Sequence, residues 1–248
     1  MNINTKEYWE RRFATGDWEE KLGREQTALF AQTQVRYLRI PSDFSGTILD
    51  FGCGLGDAMP VYRATYRHAS LIGMDISGAA VAKCKDRYGD IAQFVQGGYT
   101  DVPKVDVIIA SNVFEHLSND IEIARHLLTK CHDLFIVTPY KQTLSPGIEH
   151  INSYDEVYFR GLGPYDYALF SSRGWSQYGW NLWFHIYLKN ILRPFFGKRI
   201  IRRRKQIIFH FTTRNHCHIN NRDDELAKAV QQVTATEAFV GRVMELLR

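Results

Sequence analysis

The residues best suited to chemistry lie between Leu49 and Asp57, in the run LDFGCGLGD. An apolar stretch leads into Asp50, and glycines follow at alternate positions, Gly52, Gly54 and Gly56, with Cys53 between the first two. Glycines so spaced let a chain turn sharply from strand to helix, and they let a ligand lie against bare backbone. A second apolar run, Leu71 to Met74, leads into Asp75. A carboxylate at the end of a neighbouring strand accepts hydrogen bonds from both hydroxyls of a ribose. Together these features predict a nucleoside ligand.

The glycine spacing discriminates between nucleosides. A dinucleotide site follows G-x-G-x-x-G, its last glycine packing close to the helix that meets the pyrophosphate. Asp57 stands at that place and Gly56 comes one residue early. A carboxylate beside a pyrophosphate is unfavourable, which argues against a nicotinamide oxidoreductase. Asp50 suits an ammonium group instead, as on the amino-acid end of a zwitterion.

Short apolar segments alternating with helical ones must position these residues. TILDF, SLIGMD, AQFV, VDVIIA, DLFIVT and KQIIFHFTT read as strands, with helices near 58–68, 77–88 and 118–131 between the first five. Strand and helix in alternation predict a mostly parallel sheet covered on both faces, with its ligands beyond the C-terminal strand ends. Residues 1–44 read as a helical cap of two helices, with Asn4 as the first N-cap and Pro41 closing the second. Residues 45–215 read as the core, with an acceptor-side insertion at about 141–205. Residues 216–248 read as a C-terminal helical extension, and the apolar face of Asp223 to Leu247 offers a surface for homodimerisation.

At 248 residues, 45% hydrophobic and 23% charged, the composition is that of an ordinary globular protein. The N-terminus shows no secretory signal and no run is long enough to span a membrane, which predicts a cytoplasmic protein. Cys53, Cys84, Cys131 and Cys217 form no CxxC pair, so neither a zinc framework nor a disulfide scaffold is expected. His210, His216, Cys217 and His218 match no usual zinc spacing. The net charge of +4 is concentrated in Lys198, Arg199, Arg202, Arg203, Arg204 and Lys205, so general nucleic-acid affinity is not implied.

LDFGCGLGD, GMDIS, FVQGGYTDVP, SNVFEHL and EHINSY resemble the S-adenosylmethionine (SAM)-dependent class I methyltransferases related to ubiquinone-biosynthesis O-methyltransferases. The leader YWERRFATGDWEEKLGREQT is similar to that of small methyltransferases from bacterial surface-glycan clusters. The resemblance implies a Rossmann-like fold with a seven-stranded, mostly parallel sheet. It assigns the methionine moiety to Asp50, Gly52, Cys53 and Gly54, the ribose to Asp75 and the adenine face to Ile76. Gly98 occupies the place where the family carries an aspartate for the adenine amino group, so Tyr99 or backbone groups take that contact. Ser111 and Asn112 would flank the sulfonium, and Trp9 and Arg24 would close over the methionine end. SNVF differs from the [DNS]-P-P-[YFW] motif of enzymes methylating exocyclic base nitrogens, and no Pro-Cys pair serves cytosine C5 chemistry, so DNA is not the expected substrate.

Methyl transfer to a hydroxyl needs an aligned acceptor and a proton acceptor. His116 is the first candidate base and His150 the second, with Glu115 and Glu149 as orienting carboxylates. Glu115 and His116 also resemble part of the divalent-ion set of some quinone-type O-methyltransferases. The remaining ligands are missing nearby, so no metal is expected. The expected acceptor is a sugar or lipid-linked glycan, with a quinone precursor as the alternative small molecule. Residues 176–205 combine a Trp/Phe-rich helical stripe with the basic cluster. The stripe is expected to pack on the sheet or roof the acceptor pocket, with peripheral contact to an anionic membrane as its rival.

Overall fold

The computed structural model describes residues 3–144, 149–171, 183–198, 200 and 204–213. Two compact units divide the chain, Met1–Thr213 and Arg214–Arg248. The second lies outside the described residues, and with it the helix expected to offer a dimer face and the residues His216, Cys217 and His218.

Among the described residues seven strands form one sheet: β1 (Thr47–Phe51), β2 (Ser70–Asp75), β3 (Gln93–Gln96), β4 (Val107–Ser111), β5 (Asp133–Pro139), β6 (Asp166–Ser171) and β7 (Lys205–Thr212). Their order is β3-β2-β1-β4-β5-β7-β6. The pairs from β3 to β5 are parallel, while β7 runs antiparallel to both β5 and β6. The expected fold, a Rossmann-like, mostly parallel sheet, is the one observed. The chain runs outward from β1 to β3 and then restarts at β4 on the other side of β1. That reversal opens a crevice at the C-terminal ends of β1 and β4.

Side chains alternate between the sheet's faces, building two cores. Ile48, Ile109, Phe135, Val137 and Ile208 join one, with Met59 and Tyr62. Leu49, Ile108, Leu134, Ile136 and Phe209 join the other, with Phe114, Tyr154 and Phe159. Helices α4 (Met59–Thr65), α5 (Gly78–Tyr88) and α6 (Asp120–Leu128) follow β1, β2 and β4.

Three helices precede the sheet where two were expected: α1 (Lys6–Ala14), α2 (Asp17–Glu20) and α3 (Gly23–Gln34). The first is capped by Thr5, whose hydroxyl accepts from the Tyr8 N–H. Asn4 takes positive φ and donates instead to the Glu149 carbonyl, correcting the Asn4 assignment. The leader docks on α5: Glu10 accepts from the Ala79 N–H, and Lys83 bridges the Phe13 carbonyl and Glu19. Glu10 thus satisfies one of the open N–H groups at the start of α5.

Strand β6 had no counterpart among the predicted strands. It is an edge strand on which only Phe170 is buried, so its sequence carries little apolar alternation. His210, expected to alternate along a strand, does so on β7, stacked on Phe135 with Nε2 2.9 Å from Asp133. The aromatic stripe differs from expectation in its described part. Residues 183–196 are helical, yet Phe184, Tyr187, Ile191, Leu192, Phe195 and Phe196 are all exposed, and this part joins neither core.

Candidate active site

The turn after β1 is shaped by its glycines. Gly52, Gly54 and Gly56 have φ of 75°, 54° and 76°, where residues with a Cβ are strained. At Gly52 a Cβ would also lie 2.4 Å from Val113 Cγ2, so the turn and the residues after β4 pack without a side chain between them. Asp75 fastens this turn. Its Oδ2 accepts from the Gly54 N–H at 2.8 Å and its Oδ1 from the Ser77 N–H at 2.9 Å. Each carboxylate oxygen retains a second lone pair for a ligand hydroxyl.

Arg24 corrects one expectation. It does not line the cavity: its guanidinium contacts Asp57 at 2.9–3.0 Å and the Tyr88 hydroxyl at 3.1 Å. The ion pair with Asp57 holds Arg24 above its ordinary range. Arg24 therefore braces the glycine turn from behind. Asp57, notable in the sequence for opposing a pyrophosphate, is its anchor.

The crevice is a cavity of about 1690 Å³. Single small-molecule sites usually occupy ~300–1,000 Å³, so the cavity has room for a cofactor and an acceptor together. Every other predicted residue lines it: Trp9, Asp50, Gly52, Cys53, Gly54, Asp75, Ile76, Gly98, Tyr99, Ser111, Asn112, Glu115, His116 and His150. At the adenine end, the Gly98 N–H donates to Asp101 and Tyr99 stands beside it, with Ile76 exposed to the cavity.

Gln34 and Gln206, which also line the cavity, were not found from sequence; they bond to Ser111 and Asn112, which were. Gln34, Ser111, Asn112 and Gln206 close a ring of hydrogen bonds. Ser111 Oγ donates to Gln34, Gln34 Nε2 to Gln206, Gln206 Nε2 to Asn112, and Asn112 Nδ2 to Ser111. The ring joins α3, the end of β4 and the start of β7. Asn112, at φ 55° in the left-handed region that asparagine enters more readily than most residues, is held there by the ring. No local signal marks Gln34 or Gln206, which lie 172 positions apart.

Burial sets the protonation of the two strand-end acids. Asp50 is pushed up to about 7 by desolvation and by Asp75. Asp75 is pushed up to about 6 by desolvation, opposed by its backbone hydrogen bonds. An ammonium group pairs only with the ionised form, so cofactor binding should tighten as pH rises through 6 to 7. Below that window the dissociation constant should rise by about tenfold per pH unit for each proton taken up. Both folded values lie above the ~3.9 of an unfolded aspartate, so the ligand-free protein keeps protons that the unfolded chain has lost. Its stability should fall as pH climbs from about 4 to about 7, and cofactor should restore it. Calorimetric titration and thermal melts across this range, with and without cofactor, check both signs.

Elsewhere in the cavity lining Glu115, His116 and His150 converge, with one ligand-capable atom from each within 4.8 Å of the others. His116 Nδ1 lies 3.2 Å from the Glu149 carbonyl and His150 Nδ1 lies 2.7 Å from Gln142 Oε1. With each Nδ1–H donating there, both Nε2 atoms are left as acceptors. The rings meet edge to face at 4.8 Å, and Trp9 covers His116 at 5.1 Å. Both Glu115 oxygens are buried without a hydrogen-bond partner, and desolvation raises the group to about 8. Glu149, expected to orient an imidazole through its carboxylate, does so through its carbonyl. Its carboxylate is taken by Tyr8 and Arg12, tying the leader to this loop.

Residues 49–134 match the family described as a methyltransferase domain. No curated protein matches the chain at a significant level. Among solved structures, coclaurine N-methyltransferase bound to N-methylheliamine and S-adenosylhomocysteine (SAH) is similar in fold. It has a TM-score of 0.56 and 11% identity over 75% of this chain and 72% of that one. A putative methyltransferase in complex with the Haloferax volcanii Trm112 activator has a TM-score of 0.45 and 20% identity over 54% of this chain; the match spans 61% of that chain. The plantazolicin methyltransferase BpumL with SAH has a TM-score of 0.47 and 18% identity, over 82% and 90% of the two chains. The domain match covers the glycine turn and both strand-end acids. The enzyme is a SAM-dependent methyltransferase, and SAM is its cofactor.

Proposed function

We propose that this SAM-dependent methyltransferase transfers its methyl group to a hydroxyl oxygen of a sugar, free or lipid-linked, in the assembly of an envelope glycan. One observation carries the choice of oxygen. The acceptor end of the cavity presents the Nε2 atoms of His116 and His150, two acceptors open to a donor, beside the buried Glu115 carboxyl. A substrate hydroxyl supplies that donor. The choice of a glycan rests on the leader's resemblance to glycan-cluster methyltransferases. Arg204 and Lys205, which line the same cavity, would suit an acidic sugar or a sugar phosphate.

The reaction is an in-line displacement. The acceptor oxygen forms a bond to the methyl carbon as the carbon–sulfur bond breaks, and the electron pair returns to sulfur, giving neutral thioether SAH. The hydroxyl proton passes to an imidazole Nε2. His150 suits this role better than His116, which desolvation and the nearby His150 and Arg12 push down to about 3. A base that weak gains little by taking a proton near neutral pH. His116 then orients the hydroxyl, and Trp9 keeps water from it.

A second reading follows from the same cluster, since Glu115, His116 and His150 together are ligands of the type a divalent transition-metal ion uses. His150, distant in sequence, supplies the ligand that the local motif lacks. Extensive chelation distinguishes the two: undiminished turnover supports the base mechanism, whereas loss restored by zinc or manganese reassigns the cluster. The acceptor itself is tested by incubating the protein with methyl-labelled SAM and defined envelope-glycan intermediates. Label on sugar oxygen is expected, and label on a phenolic quinone precursor alone would overturn the glycan assignment.

A further inference from the structure

The exposed helical segment that precedes β7 calls for a partner that the cavity does not provide. Phe195 is 83% exposed, Phe196 71%, Ile191 63% and Ile200 61%. Leu192 at 48%, Phe184 at 53% and Tyr187 at 45% continue the same surface, and no residue of Lys189–Leu192 or Arg193–Phe196 is buried. Phe184, Leu188, Ile191 and Phe195 recur by threes and fours along the segment, and Lys189 and Arg193 stand four apart within it. Isolated exposed apolar residues are ordinary, but a run of large ones on a single segment marks an interaction surface.

Charge narrows the partner. The sequence has no Asp or Glu between Asp166 and Asp223, while that interval includes Lys189, Arg193, Lys198, Arg204 and Lys205. Packing this surface against a second copy of itself would set cations against cations. The partner that fits is anionic at one depth and apolar just beneath. An acidic phospholipid surface has that profile: its headgroups take Lys and Arg, and its acyl boundary takes Phe and Ile.

We propose that residues 183–198 and Ile200 lie in the headgroup region of an anionic membrane, with Phe195, Phe196, Ile191 and Ile200 inserted and Lys198 at the phosphate level. Among the described residues no helix is long and apolar enough to cross a membrane, so this contact is peripheral. Arg204, four residues beyond Ile200, lines the cavity. A docked segment therefore holds the acceptor side of the cavity close to the bilayer, where the sugar of a lipid-linked acceptor is presented. The docking goes beyond the acceptor assignment and stands or falls without it.

The test is co-sedimentation of the full chain with vesicles of phosphatidylcholine alone or with added phosphatidylglycerol, no acceptor being present. The wild type should pellet with the anionic vesicles at least about tenfold better than with the neutral ones, and lose that advantage at high salt. Phe195→Ser with Phe196→Ser should reduce binding by about tenfold, and Lys198→Glu by about fivefold. SAM affinity should remain unchanged in both variants, showing that they are folded. The proposal is overturned if the wild type fails to pellet with anionic vesicles or if the double variant pellets as the wild type does. It is overturned equally if the variants instead abolish a self-association or a protein complex while vesicle binding persists.

Discussion

Asp75→Asn is expected to weaken SAM binding by about 10²-fold, even though the substitution changes the side chain's volume very little. The native carboxylate accepts from the Gly54 N–H with one oxygen and from the Ser77 N–H with the other. An amide has a single oxygen, so one of those buried N–H groups would face an NH₂ donor. A lost bond and an unsatisfied buried donor together cost about 1–3 kcal/mol, and the ribose loses a charged acceptor as well. The same change loosens the glycine turn, so the melting temperature of the ligand-free protein should also fall. Calorimetric titration measures the first effect. A dissociation constant within about threefold of wild type would remove Asp75 from the cofactor site.

His150→Ala is expected to lower kcat by about 10²–10⁴-fold, the range for loss of a positioned proton acceptor, while leaving SAM affinity nearly unchanged. The separation follows from the fold. His150 reaches the cavity from beyond β5 and bonds Gln142, whereas the glycine turn is fastened by Asp75. His116→Ala should behave differently, because His116 packs under Trp9 and bonds the Glu149 carbonyl. Its loss should raise the acceptor KM together with a smaller fall in kcat. Unchanged kcat in the His150 variant, measured at saturating SAM and acceptor, would eliminate it as the base.

The glycine turn and the acids beside it were legible because their chemistry is local. A strand with an acid near its end that enters a turn with positive φ at alternate residues can be written almost only as D-x-G-x-G-x-G, so residues 50–56 announce their own backbone. The central strands were legible for a similar reason. Burial on both faces demands continuous apolar runs, and β1, β2, β4 and β5 have them. Edge strand β6, buried at Phe170 alone, leaves no such trace.

Other assignments depend on contacts that no local pattern encodes. Arg24 reads as a ligand-closing cation until Asp57, 33 residues away, is seen to hold it. Glu149 reads as a carboxylate for a histidine until Tyr8 and Arg12 are seen to occupy it. The aromatic stripe fits a core helix by spacing alone, yet its described residues face outward.

The amino-acid order determined the fold class, the glycine turn and the two strand-end acids, and through them the cofactor. Those features arise from backbone dihedrals and burial within a few residues. Tertiary structure decided that His150 stands beside His116 and Glu115, that Gln34 and Gln206 close a ring around Asn112, and that Arg24 braces rather than binds. Each of these is a meeting of side chains from separate elements, and only the packing of one element on another brings such groups within hydrogen-bonding distance.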